Sequence, residues 1–251
     1  MLPDTVHERL KSVDPDRYRA ALFAEPERRE RLFLLYAFHA ELAKVPELVS
    51  EPMAGRIRYQ WWRDVVEEIY TDKIVRAHEI TTPLAALLRK VEMPRFWVDT
   101  LIDGRERDLD PRPFTDLEDA QAYCRKTSGT LIKMAAYCLA PDKAQNEDMI
   151  AKAGDVWGLT GLARAWSYYH ESMLSQLDFD TLCALIKQSL AELRGHSVSV
   201  EVMPSITYVS LVSGYLRRLT AARHNPATMT VHYASLRKQL RLVAMIAHGR
   251  I

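Results

Sequence analysis

The stretch Leu32-Phe-Leu-Leu-Tyr-Ala-Phe38 is an uninterrupted apolar run, and no apolar run in this 251-residue chain is longer. Pro26 precedes it and Pro46 follows it, so the pattern predicts one helix between the two prolines. Residues 131–139 and 206–212 are also apolar on most helical faces. Helices of this kind belong in the interior of a bundle. The sequence therefore predicts an all-α fold built around buried helices.

Helical periodicity extends over the rest of the chain, and only the short His196–Val200 alternates with period two. Three predicted helices begin at Asp14-Pro15, after Pro26 and at Pro52. Another runs from the capping box Thr115–Glu118 to Leu139. The remaining predicted helices span about 80–91, 95–108, 145–171, 179–194, 203–224 and 231–248. No linker or repeat divides the sequence. We therefore expect a single domain over residues 1–251 made of eight to ten packed helices.

The charge balance excludes one class of partner. Lys and Arg number 34 and Asp and Glu number 33, so the net charge is +1. A nucleic-acid-binding protein would carry a bulk positive charge, and we expect no such partner. No apolar run is long enough to cross a membrane, and the start lacks a secretory signal, which predicts a cytoplasmic protein. Three isolated cysteines are expected to be buried thiols: Cys124, Cys138 and Cys183.

Two groups of acidic residues are candidate Mg²⁺ ligands. Asp99, Asp103, Glu106 and Asp110 form one stripe of a predicted helix. Because arginines are interspersed among them, a solvated, salt-bridged face is the favoured interpretation. The same interpretation applies to a second group, Asp64, Glu67 and Glu68.

Three glycines mark one face of a predicted helix in Gly154-Asp-Val-Trp-Gly158-Leu-Thr-Gly161. Glycine inside a helix costs about 1 kcal/mol relative to alanine. Either another helix approaches closely along this face, or the face lines a cavity; close packing is favoured. His39 with Glu41 is a further possible pair, although a histidine on an apolar helix is more often a core residue.

Several segments, in this order, resemble the squalene/phytoene synthase family. They are Arg29 with Leu35-Tyr-Ala-Phe38, Gln60-Trp-Trp-Arg-Asp64, Ile102-Asp-Gly104, Tyr123-Cys124 with Ser128-Gly129-Thr130, and Gly154 with Leu159-Thr160 and Arg164. The resemblance implies an isoprenoid (terpenoid) synthase fold, a helical bundle around a central apolar cavity. It also nominates residues on the cavity and diphosphate side: Arg29, Tyr36, His39, Glu41, Tyr123, Gly129, Gly158, Gly161 and Arg164.

Active members of that family join two prenyl diphosphates head to head and use two Asp-rich motifs to hold Mg²⁺. The resemblance places the first motif at Ala43 and Glu47 and the second at Ala165 and Tyr169. Only Glu47 is a carboxylate, and one carboxylate cannot hold a Mg²⁺ cluster against two diphosphates. We therefore expect no metal site, no cofactor and no catalysis.

A degenerate branch of the family fits better. The segments Glu41–Glu51, Gly55–Asp72 and Asp103–Asp110 resemble mitochondrial complex I assembly factors that carry a phytoene-synthase-like domain. This resemblance implies a role in respiratory-complex assembly, with a protein partner or a prenyl or quinone-like lipid as ligand. It is compatible with peripheral contact with the inner membrane.

Two alternatives stand beside this interpretation. One is an unrelated helical interaction module, which the ordered motifs disfavour. The other is an active prenyltransferase that binds Mg²⁺ through substitute carboxylates, namely Glu41, Glu47, Asp64, Glu67, Glu68 or Glu171. Convergence of these carboxylates in the structure would favour the enzyme. A cavity filled by Trp157, Trp166 or Tyr168 would favour the pseudoenzyme.

Overall fold

The computed structural model describes residues 3–143, 147–221 and 233–250. Over these ranges the chain is helical and contains no β-strand, as predicted; Ser197 and Arg250 form an isolated bridge. The helices are α1 (Asp4–Val13), α2 (Pro15–Ala21), α3 (Pro26–Lys44), α4 (Pro52–Tyr70), α5 (Thr81–Lys90), α6 (Arg95–Glu106), α7 (Leu117–Cys124), α8 (Thr130–Leu139), α9 (Glu147–Arg164), α10 (Trp166–Tyr169), α11 (Phe179–Leu193), α12 (Val212–Ala221) and α13 (Ser235–His248). None of the described helices is both long and apolar enough to cross a bilayer.

Helix α3 is the interior helix that the apolar run predicts. Every side chain from Leu32 to Phe38 is buried. The helix packs against α1, α2, α5, α6 and α8 and forms the centre of one hydrophobic cluster. A second cluster forms around α9 from α7, α11, α12 and α13. The candidate site lies where these two clusters meet.

Local capping signals set the helix starts. Asp14 caps α2 as predicted, because its carboxylate accepts the Arg17 backbone N–H at 3.3 Å and Pro15 begins the helix. The predicted capping box at Thr115 is shifted by one residue. Asp116 is the cap of α7, and it accepts the Asp119 N–H at 2.9 Å. A carboxylate is available one position later, and it displaces the threonine hydroxyl from this role.

Three predicted helices are broken or shorter in the structure. The segment ending at Leu139 contains a π-turn at Arg125–Gly129 between α7 and α8. The 145–171 helix ends at Arg164, because the Ala165 backbone turns out of helical geometry; residues 145 and 146 lie outside the described residues. The 203–224 helix begins as 3-10 turns, with regular helix from Val212; residues 222–224 lie outside the described part.

Helix α13 differs from the prediction in a more informative way. The sequence predicts an exposed basic face containing Arg237, Lys238 and Arg241. Lys238 is instead buried, because its Nζ lies 2.8 Å from Asp16 Oδ1 and 2.5 Å from the Tyr215 hydroxyl. Arg241 is half-buried and donates to the Ser210 carbonyl at 2.9 Å. Residues 231 and 232 of the predicted helix are not described.

The three glycines of α9 have different roles. A Cβ at Gly154 would collide with the Gly129 backbone, and one at Gly158 would lie 2.6 Å from Cys124 Cβ. Close helix packing therefore explains these two glycines. Gly161 has no neighbouring atom within 4 Å of that position, and it lines a pocket. The close-packing interpretation therefore holds for Gly154 and Gly158, and the cavity interpretation holds for Gly161.

Alanine substitutions separate these roles. We expect Gly154→Ala to destabilise the fold by about 1–3 kcal/mol, because the neighbour is backbone and cannot rotate away. Gly161→Ala is the matched control, and it should leave stability unchanged or raise it by up to about 1 kcal/mol. Urea unfolding followed by circular dichroism measures both variants. Equal effects of the two variants would contradict this assignment.

Candidate functional site

The four positions that the resemblance assigns to the metal motifs lie around one pocket of about 440 Å³. Ala43 and Glu47 reach it from the end of α3 and the 3-10 turn that follows. Ala165 and Tyr169 reach it from the end of α9 and from α10. The fold thus brings together two short segments that are far apart in sequence.

Arg17 is a buried residue in the lining of this pocket. Its side chain is almost fully buried, and the guanidinium donates to Asp14 Oδ2 at 2.7 Å. Its Cζ lies 5.1 Å from the ring centre of Tyr208, 5.7 Å from Trp157 and 5.9 Å from Tyr36. Three aromatic faces around one cation form a cation–π cage. A charged plug therefore stands where the resemblance implies the interior of an apolar cavity.

Arg17 stays protonated and positively charged. Burial alone would lower the pKa of Arg17, but Asp14 and Tyr208 outweigh burial and hold that pKa above its ordinary value. Burial also raises the pKa of Tyr36 and of Tyr208. Both phenols therefore stay neutral, and the Arg17–Asp14 pair carries the charge in this cage.

A second arginine cluster lies beside the first. Arg105 donates to His39 Nε2 at 2.7 Å, to the Tyr123 hydroxyl at 2.8 Å and to Asp108 Oδ2 at 3.2 Å. Burial, followed by the charges of Arg105 and Arg17, holds the pKa of His39 well below its ordinary value. His39 is therefore neutral, and its Nε2 is the acceptor, which places the ring proton on Nδ1.

A third ionic cluster closes the pocket on the side of α9. The Asp16 carboxylate is buried, and it accepts from Lys238 and from the Tyr215 hydroxyl. Arg164 lies 4.0 Å from Asp16, and its guanidinium stacks 4.2 Å from the ring centre of Tyr215. These contacts connect α2, α9, α12 and α13 at the pocket wall.

The residues of this pocket do not fit a Mg²⁺ cluster. Four of its residues carry carboxylates: Asp14, Asp16, Glu47 and Asp108. The three aspartates are each paired with a basic side chain, and Glu47 is exposed without an ion pair to a described residue. Among the residues with described positions, no three metal-ligating side chains come together. Oxygen ligands that already neutralise arginines or lysines are poor ligands for a dication.

The residues nominated from sequence fall into three groups. Tyr123, Gly158, Gly161 and Arg164 line the pocket, while Tyr36 and His39 lie buried beside its arginines. The other three do not reach it, which corrects the expectation from sequence. Arg29 donates to the carbonyls of Leu22 and Ala24, Glu41 pairs with Arg9 at 3.8 Å, and Gly129 packs on Gly154.

The substitute carboxylates outside the pocket are engaged elsewhere. Asp64 and Glu68 pair with Arg76, and Glu67 pairs with Arg95. Glu171 is exposed beside His170. The acidic stripe is paired with arginines, as its salt-bridged interpretation predicts: Asp103 and Glu106 with Arg63, Asp99 with Arg95, and Asp110 with Arg112.

Of the three predicted plugging residues, only Trp157 contributes to the cage. Its ring lies 4.7 Å from that of Tyr208. Trp166 packs on Phe179 instead, and Tyr168 is 76% exposed at the pocket rim. The principal plugging residue, Arg17, was missed from sequence. An arginine in the first turn of a capped helix has the pattern of a solvated residue, and its aromatic partners lie far along the chain.

Comparison with known proteins identifies the family. The family model described as squalene/phytoene synthase matches residues 10–173, which is well over half of the chain. The chain belongs to the squalene/phytoene synthase family. The match covers α2–α9 and both motif regions of the pocket.

Relatives within the family are named as assembly factors and not as synthases. Proteins from Bos taurus and Homo sapiens, each named NADH dehydrogenase (ubiquinone) complex I, assembly factor 6, are 27% identical over 163 residues. The match covers 64% of this chain and 48% of each relative, so the chain spans about half the length of those proteins. A Dictyostelium discoideum homologue is 23% identical over 128 residues, which covers 51% of this chain and 36% of the homologue.

A solved structure establishes the fold. The crystal structure of a dehydrosqualene synthase in complex with ligand superposes with a TM-score of 0.69 at 12% identity. The superposition covers 98% of this chain and 95% of that one. The chain therefore has the isoprenoid (terpenoid) synthase fold that the resemblance implies.

Neutral His39 makes stability depend on pH. Its pKa is lowered in the folded state, so the unfolded chain takes up a proton first as the pH falls below about 6.5. This difference destabilises the fold by about 1.4 kcal/mol at pH 5.5 relative to pH 7.5. His39→Gln keeps an acceptor for Arg105 and removes the titration. We expect the melting temperature of the wild type to fall about 3–6 °C more than that of the variant.

Calorimetry at the two pH values checks this expectation. His248→Gln, at an exposed position of α13, is the matched loss of a histidine and should behave like the wild type. If His39→Gln showed the full acid sensitivity of the wild type, His39 would not be the group responsible.

Proposed function

We propose that this chain is a non-catalytic member of the squalene/phytoene synthase family that takes part in assembling a respiratory complex. The observation that carries the proposal is the buried Arg17–Asp14 pair within its aromatic cage. It stands where the reaction of active relatives would need an open, apolar cavity. The names of the relatives supply the biological context.

The chemistry of the family supports this proposal. Loss of diphosphate leaves an allylic cation, which requires an apolar cavity without nearby positive charge. Arg17 and Arg105 are two fixed cations in this region, and like charges repel strongly in a poorly solvated interior. The carboxylates that would hold Mg²⁺ are paired with basic groups, apart from Glu47.

We propose a protein as the partner, rather than a prenyl or quinone-like lipid held in the interior. A prenyl chain needs a long apolar channel, whereas Tyr36, Tyr208 and Trp157 are packed around the guanidinium of Arg17. The lining of the remaining pocket includes charged side chains. We propose that the chain acts on the cytoplasmic side, in peripheral contact with the inner membrane.

An assay of the family reaction tests the non-catalytic proposal. The purified protein is mixed with farnesyl or geranylgeranyl diphosphate, Mg²⁺ and NADPH, and diphosphate release is measured. We expect no release, and no Mg²⁺-dependent thermal shift caused by the prenyl diphosphate. A dehydrosqualene synthase assayed in parallel is the positive control. Turnover by this chain would establish the competing prenyltransferase hypothesis instead.

A complementation experiment tests the assembly role. Deleting the gene in its host should reduce the amount of fully assembled NADH dehydrogenase on native gels. Wild type and Glu47→Gln should restore it equally, because the last carboxylate of the motif positions has no role in this proposal. Normal assembly in the deletion strain would refute the role. Failure of a stably folded Glu47→Gln variant alone would implicate Glu47 in the function.

A further inference from the structure

Helix α13 exposes three large aliphatic side chains on one face and buries a lysine on the other. Leu236, Leu240 and Val243 are 67%, 62% and 51% exposed, and their spacing of four and three places them on one stripe of the helix. Lys238 on the opposite side is buried against Asp16. Lys238 shares the buried face with Leu242 and Met245, so the exposed aliphatic stripe is additional to the core-facing residues of this helix.

The chain is also electrically asymmetric. Residues 194–251 contain eight Lys or Arg and one acidic residue, Glu201, which gives this part a net charge of +7. The preceding residues therefore carry −6, since the whole chain carries +1. The near-neutral total conceals a strongly basic C-terminal part.

Basic side chains lie beside the aliphatic stripe. A groove of about 640 Å³ between α12 and α13 is lined by Arg217, Arg237 and Leu240. Two further grooves adjoin it, and each pair of these three grooves shares one arginine: Arg194, Arg217 or Arg241. No described acidic residue lines any of the three grooves. Exposed basic residues on this surface form no ion pair with a described residue: Lys187, Arg194, Arg217 and Arg237.

From these observations we infer that this surface, the basic C-terminal face, binds an anionic lipid membrane. The aliphatic stripe of α13 enters the headgroup region while Lys187 and the arginines of the neighbouring grooves contact the lipid phosphates. Aliphatic side chains flanked by arginine and lysine are the composition of helices that lie in a membrane interface. Each basic residue near an anionic bilayer strengthens binding roughly fivefold.

Lipid explains the surface better than the other polyanions. Nucleic-acid surfaces use aromatic or polar side chains against bases, and an exposed aliphatic stripe has no partner there. Protein interfaces are enriched in tryptophan, tyrosine and phenylalanine, which are absent from the stripe. The inference rests on the proposed peripheral membrane contact and assigns a surface to it, and it does not require the assembly role, because vesicle binding is measured without the respiratory complex.

Vesicle co-sedimentation of the full chain tests the inference. We expect binding to phosphatidylcholine vesicles that contain phosphatidylglycerol, little binding to phosphatidylcholine alone, and weaker binding as salt is raised. Arg217→Gln with Arg237→Gln should weaken binding roughly 25-fold. Leu236→Gln with Leu240→Gln should also weaken it, and this pair leaves the charge unchanged. All four positions are exposed, so both variants should keep the wild-type melting temperature.

Arg56→Gln with Arg58→Gln on α4 is the matched control, because it removes the same charge from exposed positions elsewhere. This variant should bind vesicles as the wild type does. The inference is overturned by a lack of binding to anionic vesicles, by equal binding to neutral ones, or by an equal loss in the α4 variant. It also fails if the α12–α13 variants lose binding to RNA but not to vesicles.

Discussion

The buried ion pair between Arg17 and Asp14 is the interaction on which the candidate site depends. A guanidinium without a partner in this interior would strongly destabilise the fold. Asp14 therefore has two roles: it caps α2, and it neutralises the charge of Arg17. The pair draws Tyr36 of α3, Trp157 of α9 and Tyr208 around it. It therefore joins the two hydrophobic clusters beside the pocket that the motif positions line.

A neighbouring ionic contact ties the ends of the described chain together. Asp16 and Lys238 are 222 positions apart, yet they share one buried hydrogen bond, and Tyr215 donates to the same carboxylate. Because burial penalises each charge alone, α13 must dock with its lysine inward. Leu236 and Leu240, on the opposite face of α13, are thereby turned outward, while Leu242 is buried on the same side as the lysine. A polar requirement in the core thus determines which side chains the surface presents.

The sequence predicts the structural features that depend on residues close together in the chain. The buried α3 follows from an apolar run without a polar face, and the α2 cap follows from Asp14 and Pro15. It does not predict what depends on distant partners. Lys238 and Arg17 have the patterns of solvated residues until Asp16 and the rings of Tyr36 and Tyr208 are placed in space. The motif positions could be assigned through the family resemblance, whereas the filling of the space between them could not.

The Arg17 cage also restricts how this chain could change over generations. A working metal site would need new aspartates at several positions and also the removal of Arg17. Removing Arg17 first leaves Asp14 unpaired, and breaking such a pair costs about 3–5 kcal/mol of a typical total of about 5–15 kcal/mol. Adding aspartates first gives carboxylates that pair with the arginines instead of a metal. Under the proposed non-catalytic function, either order passes through a variant that is less stable or still inactive, so neither single step offers an advantage to selection.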